Sequence, residues 1–112
     1  MYLIIDLEAT CWKRNEGHYG ENEIIEIGAV VIGDDYEIVE EIQRFVRPVR
    51  NPVLSDFCKR LTSITQADVD SADPFPNVLR GFQAEAVSRL KVAFHQSQLL
   101  AQRRFVSCQF AG

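Results

Sequence analysis

Hydrophobic and polar residues alternate along the first half of the chain in a way that predicts three β-strands. Residues 2–8 form a short apolar run rich in β-branched side chains, which is typical of a buried strand. Residues 23–33 contain the most apolar stretch, IIEIGAVVI, and residues 36–47 alternate apolar with polar positions. Since only a turn built on Gly33-Asp34-Asp35 separates the second and third segments, these two strands should pair as an antiparallel hairpin.

The second half of the chain has the pattern of helices. Residues 55–60 fit a short helix, and Thr65 followed by Asp68 has the spacing of a capping box. An apolar stripe at helical spacing runs from about 75 to 93, directly after Asp73-Pro74, a typical helix start. Residues 95–112 show no clear period. The order β-β-β-α-α predicts an α/β or α+β fold with a mixed sheet.

Composition places the chain among globular domains. It has 112 residues, 46% of them hydrophobic and 25% charged, so we expect one domain. No apolar run is long enough for a membrane span, and we expect no membrane partner. Three widely spaced cysteines form no C-x-x-C pair, which favours neither a disulfide framework nor a zinc site and indicates a reducing, cytoplasmic location.

The charge distribution excludes one way of binding nucleic acid. The net charge is −4, made of −7 in residues 1–83 and +3 in residues 84–112. A protein that held nucleic acid by overall charge alone would be basic. Any nucleic-acid contact must therefore use a local site, with a bound cation to offset its acids.

Two acidic residues at the end of the first strand are candidate ligands for a metal ion. Asp6 and Glu8 are two residues apart, so a strand places both on one face. A hard divalent cation such as Mg²⁺ or Mn²⁺ would relieve their repulsion, although two solvated acids at a strand end would have the same sequence. Glu26 lies inside the apolar second strand and would fall at the edge of this site if the strands pair; an outward-facing, solvated Glu26 is the alternative.

A phosphatase motif is a rival interpretation of the same residues. Asp6-Leu7-Glu8-Ala9-Thr10 loosely resembles the D-x-D-x-T motif of the haloacid dehalogenase class. That motif precedes a helix or cap, whereas a polar loop and a hairpin follow here, and the second acid is Glu. The context therefore disfavours this interpretation.

Three segments resemble, in order and spacing, the DEDDh 3′→5′ exonucleases, the RNase T/DnaQ-like group of the ribonuclease H-like superfamily. The first motif is similar to residues 4–12, IIDLEATCW, followed by residues 23–30, EIIEIGAV. Residues 45–48, FVRP, and then SDFC and LTSITQ up to Gln66 continue the resemblance, with Ser63 where glycine is usual. The E-A-T-C form is most similar to the Eri-type and KapD-type RNA exonucleases. The resemblance covers residues 1–83.

The resemblance implies a two-ion site for Mg²⁺ or Mn²⁺ and hydrolysis at the 3′ end of RNA or single-stranded DNA, with RNA favoured. Asp6 would bridge both ions and Glu8 would hold one, with Glu26 behind them. The terminal nucleotide would meet the backbone of Ala9 and Thr10 and the side chains of Leu61 and Thr62; plain core packing is the alternative for Leu61.

The resemblance stops before the rest of the family's active site. The last aspartate is Asp73, and His95 is followed five residues later by Leu100, so the H-x-x-x-x-D motif is absent. We therefore expect a truncated ribonuclease H-like domain: residues 1–83 as its N-terminal part, and residues 84–112 as a helix continuation and divergent tail, disordered or encoded out of frame. A non-catalytic remnant that binds nucleic acid or a protein partner is the alternative function.

Overall fold

The computed structural model describes residues 1–97 and 104–111, with the residues after Lys91 described by their backbone only. Four strands form one sheet in the order β3-β2-β1-β4. The strands are β1 (Tyr2–Ala9), β2 (Ile24–Ile32), β3 (Ile38–Phe45) and β4 (Arg104–Ala111). The three strands predicted from the sequence are therefore present, and the ribonuclease H-like fold class with a mixed sheet and following helices is confirmed.

The antiparallel pairing of β1, β2 and β3 creates one buried and one open face. The buried face of β2 carries Ile25, Ile27, Ala29 and Val31, at every second position. Because side chains of a strand alternate between faces, the even-numbered residues of β1 and β2 lie on the open face. The predicted β2–β3 hairpin is confirmed, with Val30 opposite Glu41.

The helices are α1 (Asp56–Thr62), α2 (Gln66–Asp70) and α3 (Phe75–Ser97), and a short 3-10 helix spans Arg14–Glu16. Ser55 and Thr65 cap α1 and α2, each accepting a hydrogen bond from a backbone N–H three residues ahead. The predicted capping box of Thr65 and Asp68 is confirmed, since Asp68 also accepts from the N–H of Thr65.

Helix α3 covers the buried face of the sheet. Phe82 and Ala86 are buried in the main core, with Val78 and Leu90 packed beside them, as the apolar stripe predicts. Arg89 then ties the helix to β3, because its guanidinium donates to the Glu40 carboxylate and to the Glu41 carbonyl, both at 3.0 Å. None of the helices in the described ranges is both long and apolar enough to span a membrane.

Strand β4 was not predicted from the sequence. Residues 95–112 show no periodicity, yet the structure extends α3 to Ser97 and pairs β4 in parallel with β1. The strand depends on the free edge of β1 for its backbone hydrogen bonds, a long-range condition that a local pattern does not reveal. The proposed origin of the tail, an altered reading frame, stays a prediction.

Candidate metal and nucleic-acid site

Asp6 and Glu8 share the open face of β1, as their spacing predicts. In the β1–β2 ladder Asp6 lies opposite Gly28, and Glu8 lies opposite Glu26. The pairing register shifts between Glu8 and Ala9, so β1 becomes irregular directly after the second acid. Such irregularities re-aim side chains and are common next to active sites. Asp6 is exposed, whereas Glu8 is only half-exposed.

One oxygen of the Glu8 carboxylate lacks a hydrogen-bond partner. Within the part of the chain that the structure describes, the Oε2 atom of Glu8 is buried and unsatisfied, which is costly for a polar atom unless a ligand or ion completes it. Burial, then the nearby charges of Asp6 and Glu26, raise the pKa of Glu8 above its ordinary value. A divalent cation would satisfy the buried oxygen and offset all three charges, so these residues fit the metal that the sequence suggests.

Glu26 completes the acidic edge of the site but already has a partner. Its Oε2 atom accepts a hydrogen bond of 2.8 Å from the side-chain amide of Gln43 on β3. Asp6, Glu26 and Gln43 line an open pocket of about 430 Å³ on this face of the sheet. Glu26 therefore lies at the edge of the site, on the same face as Asp6, and not within the apolar core; its role behind the predicted ligands stays a prediction.

The end of β1 is tied to the loop that follows it. Thr10 is buried; its N–H donates to the Glu23 carbonyl at 2.8 Å, and its hydroxyl accepts from the Glu23 N–H at 2.9 Å. Its carbonyl accepts from Asn22 at 2.6 Å. The carbonyl of Ala9 accepts a long 3.7 Å contact from the Cys58 thiol. These internal partners were not foreseen from the sequence, since they join segments about a dozen residues or more apart, and a nucleotide contact at Ala9 and Thr10 stays a prediction.

Helix α1 is anchored against the same strand end. The Ser55 hydroxyl donates to the Cys11 carbonyl at 2.7 Å while it caps the helix. Cys11 and Cys58 are free thiols in a second buried cluster, and burial, then its neighbour Cys58, raises the pKa of Cys11. Both thiols therefore pack inside the protein, between the end of β1 and α1.

Leu61 and Thr62 end helix α1 but do not line the pocket beside Asp6. Leu61 is 51% exposed, so the alternative that it is a core residue is wrong. Thr62 donates to the Cys58 carbonyl at 2.8 Å and accepts from the N–H of Ile64 at 3.2 Å. An exposed apolar side chain at this helix end is available for a base, whereas the Thr62 hydroxyl is already used inside the protein.

Among the described residues, no group of three or more histidine, cysteine, aspartate or glutamate side chains could hold a metal. His95 falls in the last turns of α3, where side chains lie outside the described residues. His18 stacks on Trp12, with ring centroids 4.4 Å apart, and pairs with Glu21. The site as described is the acidic pair with Glu26 at its edge.

Comparisons with known proteins place the chain in a family of nucleases. Residues 3–102 match the model of an exonuclease family, the RNase T type. The human 3′-5′ exoribonuclease 1 is 49% identical over 78 residues, which are 69% of this chain and 22% of that protein. The 3′-5′ exonuclease eri1 of Schizosaccharomyces pombe is 46% identical over 78 residues, 69% of this chain and 26% of that protein. ERI1 exoribonuclease 2 of Xenopus laevis is 42% identical over 83 residues, 73% of this chain and 12% of that protein. The chain thus spans about a quarter or less of these relatives.

Solved structures are similar over a longer part of the chain. The nuclease domain of 3′hExo, a DEDDh family member bound to rAMP, matches with a TM-score of 0.67 at 37% identity and covers 99% of this chain and 51% of that one. A 3′-exonuclease structure on 3′-end-specific recognition of the histone mRNA stem-loop matches with a TM-score of 0.70 at 38% identity, over 99% of this chain and 35% of that one. The structural similarity therefore includes the region of β4.

Proposed function

Because this chain belongs to the RNase T-type exonuclease family, we propose that it contributes the first carboxylate pair, Asp6 and Glu8, of a divalent-metal site that binds the 3′ end of single-stranded RNA. The observation that carries this proposal is the buried, unpartnered Oε2 atom of Glu8, next to Asp6 on the open face of β1. In the folded chain this oxygen has lost water and gained no hydrogen bond. Coordination of Mg²⁺ or Mn²⁺ would replace the lost interaction.

The residues of the site divide the work of binding. Asp6 and Glu8 would hold the ion, and a divalent ion at this place would supply positive charge for a phosphate group of the substrate. Glu26, which accepts a hydrogen bond from Gln43, adds negative charge that favours a cation. Leu61, exposed at the end of α1, would pack against the terminal base.

RNA is the substrate class that the relatives favour. The human and Xenopus relatives are named exoribonucleases, and one structural neighbour concerns recognition of an mRNA stem-loop. We extend this preference to the present chain as part of the proposal. A DNA strand of the same sequence should then bind more weakly than the RNA.

The second candidate function is binding of the RNA end without hydrolysis. It is favoured because the sequence lacks the later acidic residues of the family's active site. No aspartate follows Asp73 and no histidine is followed at the fifth position by aspartate. Loss of general base assistance alone typically costs about 10²–10⁴ in rate, and the absent acids remove further metal ligands. We expect residues 1–112 to bind RNA ends with negligible trimming.

One experiment tests both functions. The purified chain is incubated with 5′-labelled single-stranded RNA and Mn²⁺, and both trimming and affinity are measured. We expect no trimming, but tighter binding of RNA with a 3′-hydroxyl when Mn²⁺ is present, and loss of this Mn²⁺ effect in Asp6→Asn/Glu8→Gln. Robust trimming abolished by Asp6→Ala would show a complete enzyme; an Mn²⁺ effect unchanged in the double variant would refute the site.

A further inference from the structure

The chain is acidic overall, so the way in which it approaches an RNA backbone needs a local explanation. Two pockets lie beyond the end of β1 and share Asn22 as a wall residue. The first, of about 190 Å³, is lined by Lys13 and Arg14 among others. The second, of about 430 Å³, is lined by Arg47 and Arg50 among others. We call these four cations, with Asn22 between them, the basic strip.

The cations of the basic strip are free to bind a ligand. All four side chains are exposed, and none forms an ion pair with a carboxylate among residues 1–91. This contrasts with Arg44 and Arg89, which are held by the Glu85 carboxylate on α3. Exposed cations without an internal partner are suited to phosphate oxygens.

The acids near the basic strip are hydrogen-bonded within the protein. Glu23 accepts from the backbone N–H groups of Val49, Arg50 and Asn51, at 2.8, 2.7 and 3.1 Å. Glu16 accepts from the N–H of Lys13 at 2.7 Å. Glu21 accepts from Asn51 and pairs with His18, both at 3.0 Å. Their charges fix the loop in place, and the cations are left to face solvent.

The loop that carries half of the strip is ordered before any ligand binds. Trp12 and His18 are stacked with an interplanar angle of 20°, and the Tyr19 hydroxyl donates to the Arg14 carbonyl at 3.0 Å. The ring of Tyr19 nevertheless remains 77% exposed. Exposed aromatic rings beside cations are the surface that single-stranded nucleic acids use for stacking and backbone contacts.

We propose that the basic strip, Lys13, Arg14, Arg47 and Arg50, binds the phosphate backbone of single-stranded RNA upstream of the 3′ end, with Tyr19 stacking on a base. The inference rests on the proposed function for its choice of RNA, but the contact itself needs no metal. Because the strip starts five residues after Glu8 in the chain and is pinned to Thr10 through Asn22, a strand held there can reach the acidic pair.

Binding of a 5′-fluorescein oligouridylate of about twelve nucleotides, measured by anisotropy in EDTA, tests the proposal. Lys13→Glu/Arg14→Glu and Arg47→Glu/Arg50→Glu should each weaken binding at least about tenfold and flatten the salt dependence by roughly 1.4 in log–log slope. Arg80→Glu/Lys91→Glu on α3 is the matched control, since it makes the same change in charge at exposed cations. It should change affinity less than about threefold.

Two further variants separate stacking by Tyr19 from the charge of the strip. Tyr19→Ala should weaken binding at least about fivefold, while Tyr19→Phe keeps the ring and binds nearly as the wild type. The assay contains EDTA, so failure of the metal site leaves the test of the strip intact. Circular dichroism of every variant checks that it is folded.

Three results would overturn the proposal. The first is wild-type affinity in both strip variants, and the second is an equal loss in the α3 control, which would mean that overall charge alone acts. The third is tighter binding of an RNA duplex than of the single strand, or no measurable binding of the wild type at low salt. None of these outcomes decides whether Mn²⁺ tightens binding of RNA 3′ ends, which is tested separately.

Discussion

At the scale of single residues, Glu8 is the side chain whose surroundings folding explains least. One of its oxygen atoms is buried without a partner, and two further carboxylates lie close enough to raise its pKa. An unpaired buried oxygen destabilises the folded state, and such groups occur where a bound ligand supplies the missing partner. The energetic signature of that cost can be measured without any substrate.

We predict that Glu8→Gln stabilises the chain in EDTA at neutral pH. The raised pKa means that the ionised side chain is less favourable in the folded than in the unfolded state, so stability is lost as pH rises from the ordinary Glu value through the raised one. The melting temperature of the variant should exceed that of the wild type by a few degrees at about pH 7, and the difference should shrink towards about pH 4.

Glu21→Gln is the control of opposite sign. Hydrogen bonds, first from His18 and then from Asn51, lower the pKa of Glu21, so its charge is favourable in the folded state and its loss should not stabilise. If Glu8→Gln lowers the melting temperature at neutral pH, the charge of Glu8 is compensated within the protein and the argument for a cation fails.

Ser63 offers a second test at this scale. It ends α1 with φ of +63°, in the left-handed region that favours glycine. Glycine is usual at this position in the family that the sequence resembles, because glycine adopts a positive φ without steric strain. We predict that Ser63→Gly increases the free energy of unfolding by about 0.5–1 kcal/mol, as measured by urea denaturation.

Ser71→Gly is the matched control for Ser63, since Ser71 ends α2 with φ of −86°. Glycine gains nothing there, and the hydroxyl that donates to the Ala67 carbonyl is lost. The two serines should therefore respond in opposite directions. A destabilised Ser63→Gly would mean that the left-handed backbone carries no strain.

At the scale of elements, the contact between α1 and the end of β1 fixes the geometry around the site. Ser55 joins them, because its hydroxyl both caps α1 and donates to the Cys11 carbonyl. We predict that Ser55→Ala lowers the free energy of unfolding by about 2 kcal/mol, roughly one for the cap and one for the carbonyl left unsatisfied.

Thr65→Ala removes the equivalent cap of α2 without a link to β1, so it should cost only about 1 kcal/mol. The difference between the two variants in chemical denaturation measures the link itself. Equal costs would contradict a structural role for the contact between Ser55 and Cys11.

Elements with a local signal were predictable from the sequence, and those that depend on distant partners were not. The apolar run of β2, the turn at Gly33 and the capping box at Thr65 each lie within a few residues, and all are confirmed. Strand β4 exists only through its pairing with β1, about a hundred residues earlier in the chain. No local pattern contains that information.

The candidate site divides in the same way. The shared face of Asp6 and Glu8 follows from strand alternation, and the position of Glu26 follows once β1 and β2 pair. The buried oxygen of Glu8 and the basic strip depend on how separate segments pack. The cations of the strip come from two loops more than thirty residues apart, so sequence order hides their proximity.

At the scale of the whole molecule, charge is separated by location. The open face of β1 carries Asp6 and Glu8, and the basic strip places cations beyond the strand end. On α3, Glu85 and Arg89 form ion pairs with Arg44 and Glu40 of β3. A net charge of −4 therefore hides separate acidic and basic regions, which under our proposals would take a cation and a phosphate backbone respectively. This arrangement accounts for how an acidic chain can belong to a nuclease family.

The central claim is that Asp6 and Glu8 bind a divalent cation, and a thermal melt with Mn²⁺ tests it most directly. Millimolar Mn²⁺ should raise the melting temperature of the wild type by a few degrees through preferential binding to the folded state. Asp6→Asn/Glu8→Gln should lose the shift, while Asp35→Asn/Glu37→Gln, which removes the same charge from a distant turn, should keep it. Absence of any shift in the wild type, or an equal shift in all three proteins, would contradict the account.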